Sequence, residues 1–346
     1  MVQIDTQNKI KNVLIVGLGS IGRRHLRLIR EQIPNARIFS LRHSEEKLSE
    51  EIPGIEKSFF KIEDAILEKP DIAIIANPAP FHISTAKKLA KAGIHLLVEK
   101  PISHNLEGVE DLIEACHLNN IKLMTGFNLR FLSCLNFFKS TIESNIIGTV
   151  LSIRAEIGQN LESWRPGSDY SEGVSANHEL GGGVLLELSH EIDYLLWIFG
   201  EPNWVMASLS TQSNLKIDVE DSAHILMGLE AKAFNGTPIS VSLNLDFIRH
   251  DHTRNCYAIG EKGTIKCNLL SNSVHIKEKN KDVWTEIFNE PSERDITFSN
   301  QMKNFIQSIE NGELLKATGE DGLKSLKVID AIRISDKKER KVVISK

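Results

Sequence analysis

The first third of the chain alternates short apolar runs with longer amphipathic ones. Runs at 13–16, 37–41, 72–76, 94–98 and 122–126 are rich in Val, Ile and Leu and predict strands. Segments at 20–31, 62–68, 84–92 and 106–119 space their apolar residues for one face of a helix. Strand and helix in strict alternation predict a doubly wound parallel α/β sheet. Pro70-Asp71, Asn77-Pro78 and Lys100-Pro101 fall at strand beginnings or ends, where proline's missing N–H does least harm.

Beyond about residue 128 the rhythm changes. TVLSIRAEIG, NWVMASLSTQ, SAHILMGLEAKAF, PISVSLNLDFI, YAIGEKGTIKCNLL and SVHIKEK follow one another with turn signals and little helix between them, which predicts a largely antiparallel sheet. Val241, Leu243, Leu245 and Phe247 alternate with polar residues, so one face of that strand is apolar. Either a second copy of the chain or a helix has to cover it. Helices are expected near 184–199, 300–310 and 320–333. The predicted organisation is a Rossmann-type doubly wound domain at 1–127 and an α+β domain with a large, mostly antiparallel sheet at 128–346. With no flexible linker or repeat in view, a rigid, packed cleft between them is expected.

The stretch VLIVGLGSIG sets the chemistry. Gly17, Gly19 and Gly22 form G-x-G-x-x-G directly after an apolar strand and at the start of a helix. In a dinucleotide-binding turn the first glycine makes the tight turn, the second admits the pyrophosphate and the third lets helix pack on strand. The N–H groups at Ser20, Ile21 and Gly22 then face the phosphates. The bland alternative is an ordinary glycine-rich turn. An acidic residue about twenty positions on usually holds the ribose of NAD. Here the strand end reads Leu41, Arg42, His43, Ser44, and Arg42 with Ser44 favours the 2′-phosphate of NADP over NAD. Arg42 stacked on adenine, or Glu45 or Glu46 turned inward, are the alternatives.

Composition narrows the rest. The 346 residues are 41% hydrophobic and 25% charged, with a net charge of −5, so nothing draws the whole chain to nucleic acid or an anionic membrane. Cys116, Cys134, Cys256 and Cys267 include no C-x-x-C and read as reduced thiols of a cytoplasmic protein. No apolar leader opens the chain, and VLLELSHEIDYLLWIFG carries Glu187, Glu191 and Asp193, which argues against a membrane span. His250-Asp251-His252 matches no zinc spacing, and no metal is expected.

NPAPFHISTAKKLAKAGIHLLVEKP, then GFNLRF, then GGGVLLELSHEIDYLLWIFG, run in one order along residues 77–200. Together with the glycine turn they resemble the glucose-fructose oxidoreductase, inositol dehydrogenase and rhizopine-catabolism (Gfo/Idh/MocA) family. The resemblance implies hydride transfer between a nicotinamide and a carbon bearing a secondary hydroxyl or ketone. Asn77, Pro78, His82 and Glu99 fall at its cofactor positions and Arg130 near cofactor or substrate; the alternative for either Glu99 or Arg130 is a structural ion pair. Lys100 is the expected acid/base. An ammonium beside an oxidised nicotinamide in a partly dry cleft releases its proton more readily, and Pro101 aims the chain.

His190 and Asp193 form H-x-x-D on one helix face; in relatives that histidine shares proton transfer or binds the reacting hydroxyl. Many relatives carry aspartate four residues before it. Here that position is Leu186, and Glu187 either substitutes or is a solvated carboxylate. Trp164, Arg165 and Tyr170 offer a flat ring and a bidentate cation to a sugar, phosphate or carboxylate, or else form a packed loop. The W-R-P…D-Y loop resembles that of family members in bacterial surface-sugar pathways, which implies a nucleotide-activated or amino sugar as substrate. The competing readings are a redox-assisted glycosidase without net cofactor turnover and a silent dinucleotide sensor. A homodimer or homotetramer is expected.

Overall fold

The computed structural model describes residues 9–43, 52–164, 167, 169–229, 238–291, 293 and 295–344. Four apolar residues in a row suit a strand buried on both faces. Val13, Leu14, Ile15 and Val16 are such a run, at 0–3% exposure, in β1 (Asn12–Val16). With β2 (Arg37–Leu41), β3 (Lys57–Phe59), β4 (Ile72–Ile75), β5 (His95–Val98) and β6 (Leu123–Thr125) it forms a parallel sheet in the order β3-β2-β1-β4-β5-β6. That order is the doubly wound one, with the chain reversing its winding between β1 and β4. Helices α1 (Ser20–Gln32), α2 (Ile62–Leu67), α3 (His82–Lys91) and α4 (Val109–Leu118) intervene. β3 escapes the sequence pattern because three residues at a sheet edge carry no periodicity.

By its internal contacts the chain divides into two units, Met1–Gly126 with Phe298–Gly322, and Phe127–Thr297 with Leu323–Lys346. The division differs from a single boundary followed by a domain at 128–346. Thr125 donates its N–H to the Ala317 carbonyl at 3.1 Å and its hydroxyl to the Thr318 carbonyl at 2.9 Å. A returning segment thus occupies the outer edge of β6, which would otherwise present unpaired backbone groups.

The second unit holds α5 (Ser133–Glu143), β7 (Val150–Gly158), α6 (Val184–Glu187), α7 (Ser189–Phe199), β8 (Pro202–Ser210), β9 (Ser222–Leu229), β10 (Ile239–Asp246), β11 (Thr253–Gly260), β12 (Gly263–Asn268), β13 (Ser273–Glu278), β14 (Thr285–Asn289) and β15 (Val342–Val343). Helices α8 (Ile296–Glu310) and α9 (Gly319–Lys338) run across the two divisions of the chain. Among the described residues the sheet order is β14-β13-β12-β11-β7-β10-β9-β8-β15, antiparallel except for the parallel pair β7 and β10. The helix expected as one piece at 184–199 is two, broken at Leu188.

Val241, Leu243, Leu245 and Phe247 are all at 0–1% exposure. Helix α6 packs on β9 and β10, and α7 on β7, so helices of the same chain cover this face. Of the two covers considered for the apolar alternation, a second copy is therefore corrected to a helix. The outward face carries Met206 and Leu226, cross-strand partners at 48% and 49% exposure.

Candidate functional site

In the first unit the loops that follow β1 and β4 meet at the reversal of winding, where doubly wound sheets bind ligands. Gly17 has φ +84°, and a Cβ there would sit 2.8 Å from the Asn77 nitrogen. Its own N–H donates to the Leu41 carbonyl at 3.0 Å, which brings the end of β2, and hence Arg42, to the turn. A Cβ on Gly22 would lie 1.9 Å from the Gly17 carbonyl oxygen, so only glycine lets α1 start this close to the strand. A Cβ on Gly19 would meet nothing within 4 Å. The space beside Gly19 is thus open while its neighbours are packed. The first turn of α1, with Ser20 and Ile21, has neither a side-chain cap nor an acidic residue, and its N–H groups leave a positive end for an anion. These features fit a dinucleotide pyrophosphate. Among the described residues after β2 are Arg42 and His43; Ser44 lies outside them, as do Glu45 and Glu46.

The Glu99, Lys100, Pro101 corner leaves the end of β5 with the 100–101 peptide cis. His82 is 1% exposed, with its ring nitrogens 2.7 Å from the Asn77 carbonyl and 3.0 Å from the Pro101 carbonyl. It ties the loop after β4 to the corner after β5. Burial holds its pKa below the ordinary imidazole value, although both carbonyls and the charge of Glu99 pull the other way. Glu99 is 8% exposed. One carboxylate oxygen lies 2.6 Å from His25 Nε2 and the other accepts the Lys100 N–H at 3.2 Å. Burial pushes this carboxyl up, but the His25 hydrogen bond, the His25 and Lys100 charges and the Lys100 N–H outweigh it, and the net direction is down. Lys100 is half-buried. His25 is the residue that sequence reasoning missed. Its position on the buried face of α1, three residues past Gly22, was the available signal.

In the second unit the glycine run aims α7. A Cβ on Gly182 would lie 2.4 Å from the Val174 carbonyl oxygen, and Gly183, at φ +98°, donates its N–H to the Ser175 carbonyl at 3.1 Å. The Ser175 hydroxyl donates to Glu187 at 3.0 Å, so Glu187 is held against the same turn. His190 is half-buried, edge-on to Phe127 with ring centroids 5.9 Å apart. Asp193 lies one turn on at 0% exposure and takes a forked pair of hydrogen bonds from Arg130, with Nη2 at 2.7 Å and Nε at 3.0 Å. Asp193 and Arg130 are therefore brought together with each other in the interior. Glu191, also at 0% exposure, pairs with Arg254 at 2.6 Å.

The Trp164 ring donates Nε1–H to the Gln159 carbonyl at 3.1 Å and packs edge-on against Phe247 at 5.0 Å. Tyr170 accepts the Lys216 N–H at 3.1 Å. Both side chains pin their loop, and Arg165 lies outside the described residues. Asp251 pairs with Arg249 at 2.8 Å. Among the described residues no group of three His, Cys, Asp or Glu side chains is arranged for a metal, and no helix is long and apolar enough to cross a membrane. The four cysteines are free and buried.

Residues 11–127 match the model of an oxidoreductase family with an NAD-binding Rossmann fold, and 139–344 match that family's C-terminal alpha/beta domain. The chain belongs to the Gfo/Idh/MocA family. Similar relatives include a glucose-6-phosphate 3-dehydrogenase of Bacillus subtilis, 22% identical over 97% of this chain and 99% of the relative. A myo-inositol 2-dehydrogenase of Thermotoga maritima is 26% identical over 95% of this chain and 97% of its own length. Among solved structures, a levoglucosan dehydrogenase in complex with NADH and L-sorbose has a TM-score of 0.83 at 21% identity, covering 97% of this chain and 99% of that one. A WlbA dehydrogenase from Bordetella pertussis with NADH and UDP-GlcNAcA gives 0.80 at 21% identity, covering 98% and 100%. At such identities the structural likeness establishes the fold, and the family models carry the membership.

Proposed function

We propose that this member of the Gfo/Idh/MocA family is an NAD(P)-dependent dehydrogenase acting on a secondary hydroxyl or ketone of a sugar, sugar derivative or nucleotide-sugar. The observation that carries the reading is the position of Lys100 at the end of β5, in a sheet whose β1 and β4 loops form a turn fitted to a pyrophosphate. Gly17, Gly19, Ser20, Ile21 and Gly22 hold the phosphates, and Asn77, Pro78 and the braced His82 shape the adjoining wall. When bound, the nicotinamide accepts or returns the hydride. Lys100 takes the hydroxyl proton in the oxidising direction and returns it in the other, which requires its Nζ within about 3 Å of the reacting oxygen. His190 hydrogen-bonds that oxygen or shares its proton.

Asp193 acts by holding Arg130, and Glu187 by keeping its place on Ser175. Trp164 and Tyr170 shape the loop that contributes Arg165 to substrate binding. The sugar class is supported by the L-sorbose and UDP-GlcNAcA bound in the structural neighbours, and the WRPGSDY loop favours a nucleotide-activated or amino sugar. Arg42, which follows β2 beside the glycine turn, supports NADP(H) over NAD(H), while the neighbours named above hold NADH. A nicotinamide cofactor and four free, buried thiols suit the cytoplasm. The outward sheet face around Met206 and Leu226 supports pairing into a homodimer or homotetramer.

The test is nicotinamide absorbance with NAD(H) and NADP(H) across glucose 6-phosphate, inositols, levoglucosan and UDP-amino sugars, each beside Lys100→Ala. Turnover that vanishes in the variant is the expected result. Cofactor binding without net turnover on any member moves weight to the redox-assisted glycosidase or the sensor. Arg42→Ala is expected to weaken NADPH binding about tenfold or more and leave NADH binding within twofold, as loss of a charged hydrogen bond of roughly 1.5–3 kcal/mol requires.

A further inference from the structure

His25 sits on the inner face of α1 at 0% exposure, where an imidazole is costly unless it is used. Its Nδ1 has no hydrogen-bond partner among the described residues, so its polar role falls to Nε2, 2.6 Å from Glu99 Oε1. The ring also lies edge-on to Phe298, with centroids 6.0 Å apart, and Arg24 covers that phenyl ring at 4.6 Å. Packing therefore holds the imidazole on one side while the carboxylate holds it on the other.

Glu99 is gripped in turn. Its N–H donates to the Ile75 carbonyl at 2.9 Å, and Gly126 passes so close that a Cβ there would lie 2.9 Å from Glu99 Oε2 and 3.0 Å from the Lys100 nitrogen. Glu99 Oε2 then accepts the N–H of Lys100 itself. One short relay thus runs from the helix that opens the glycine turn to the main chain of the residue assigned as acid/base. The titratable groups that meet at this corner are His25 on α1, His82 on α3, and Glu99 and Lys100 at the end of β5.

We propose that His25 is a positioning residue for Lys100, acting through the buried carboxylate of Glu99. The imidazole donates Nε2–H to Oε1, which keeps Glu99 ionised and fixed, and the carboxylate in turn holds the Lys100 backbone N–H. The consequence for catalysis rests on the reading of Lys100 given above; the relay itself does not.

The experiment is native-state amide hydrogen exchange of the full-length chain at pH 7, with the Lys100 N–H resolved by peptide fragmentation in mass spectrometry. His25→Met removes the donor, His25→Asn shortens it beyond reach of Glu99, His25→Gln keeps an amide near Nε2, and Glu99→Ala removes the acceptor of the Lys100 N–H. Protection of that N–H is expected to fall about tenfold in Glu99→Ala and about threefold or more in His25→Met or His25→Asn, while the Leu97 and Val98 N–H groups of β5 keep theirs. The His25→Asn, Glu99→Ala double variant should fall no further than Glu99→Ala alone, and His25→Gln should stay near wild type. Unchanged protection of Lys100 in Glu99→Ala or in the donor-less variants, an equal loss at Leu97 and Val98, or additive losses in the double variant, overturns the proposal. Circular dichroism identifies any variant that fails to fold, and His25→Asn then stands in for His25→Met. Exchange needs neither cofactor nor substrate. A wild-type chain with no oxidoreductase turnover but with the relay intact would therefore overturn the functional reading alone.

Discussion

Each unit keeps a buried acid beside the residue proposed to handle the proton, and the two acids are held differently. Asp193, one turn from His190, meets a guanidinium in a two-pronged fork; Glu99, next to Lys100, meets a single imidazole nitrogen. Arginine stays charged at any working pH and its fork fixes direction as well as charge. Histidine makes a single polar contact here, through Nε2 alone, and so fixes the acid at one oxygen. The Arg130–Asp193 pair is a strut that anchors α7, whereas the His25–Glu99 pair leaves the acid open to adjustment by its partner. An acid near a catalytic side chain is thus not one kind of signal, because its partner decides whether it holds structure or tunes chemistry.

Removing the chemistry from each side gives the largest effects. Lys100→Ala is expected to lower kcat by about 10²–10⁴ with NAD(P)H binding kept within a few fold, as loss of an acid/base group does. Turnover within tenfold of wild type would move the proton to another residue. Asp193→Ala leaves the Arg130 guanidinium buried opposite no carboxylate and is expected to cost about 3–5 kcal/mol in urea unfolding. Glu99→Gln keeps an acceptor for His25 and should cost clearly less. Equal losses from the two substitutions would erase the contrast between strut and adjustable pair.

The glycine turn sharpens the same contrast within one motif. Gly22→Ala forces a Cβ against the Gly17 carbonyl, so the start of α1 must move and both stability and cofactor binding should fall. Gly19→Ala meets open space, so unfolding should stay within about 0.5 kcal/mol of wild type while NAD(P)H binds at least tenfold more weakly. Unchanged binding in Gly19→Ala would mean that the open space is not where the pyrophosphate lies.

Much of this was legible in the chain. Strands with four or more apolar residues and the three glycines announced themselves because their physics is local: a buried strand is apolar throughout, and a close backbone approach demands glycine. The EKP corner was legible only through its resemblance to the family. What the pattern could not carry was partner choice across long sequence separations. Asp193 was expected to share a helix face with His190; it also pairs with Arg130, 63 residues earlier, and nothing in the spacing encodes that meeting. His25 was invisible for the same reason, since its function rests on Glu99, 74 residues on. The alternation at 241–247 correctly announced an apolar face but not its cover, because the covering α6 lies some fifty residues upstream and is only one turn long. The return of Phe298–Gly322 to the first unit likewise places the Ala317 and Thr318 carbonyls on the N–H and hydroxyl of Thr125, which no residue pattern marks.

The smallest effect separates the two pairs by pH. Glu99 has its folded-state pKa lowered, so its contribution to stability is complete above the ordinary unfolded carboxylate value of about 4.3 and is lost as pH falls through the folded-state value. The stability difference between wild type and Glu99→Gln should therefore be flat from pH 7 to about 5 and shrink below about 4.3, read as the gap between their urea midpoints. His25→Asn, by removing the hydrogen bond that helps hold Glu99 down, should leave that onset in place, since the unfolded carboxyl sets it, and make the loss below it smaller. A gap that stays constant down to pH 3 would mean that Glu99 is not held ionised by its surroundings, and the His25–Glu99 pair would then be as fixed a strut as Arg130–Asp193.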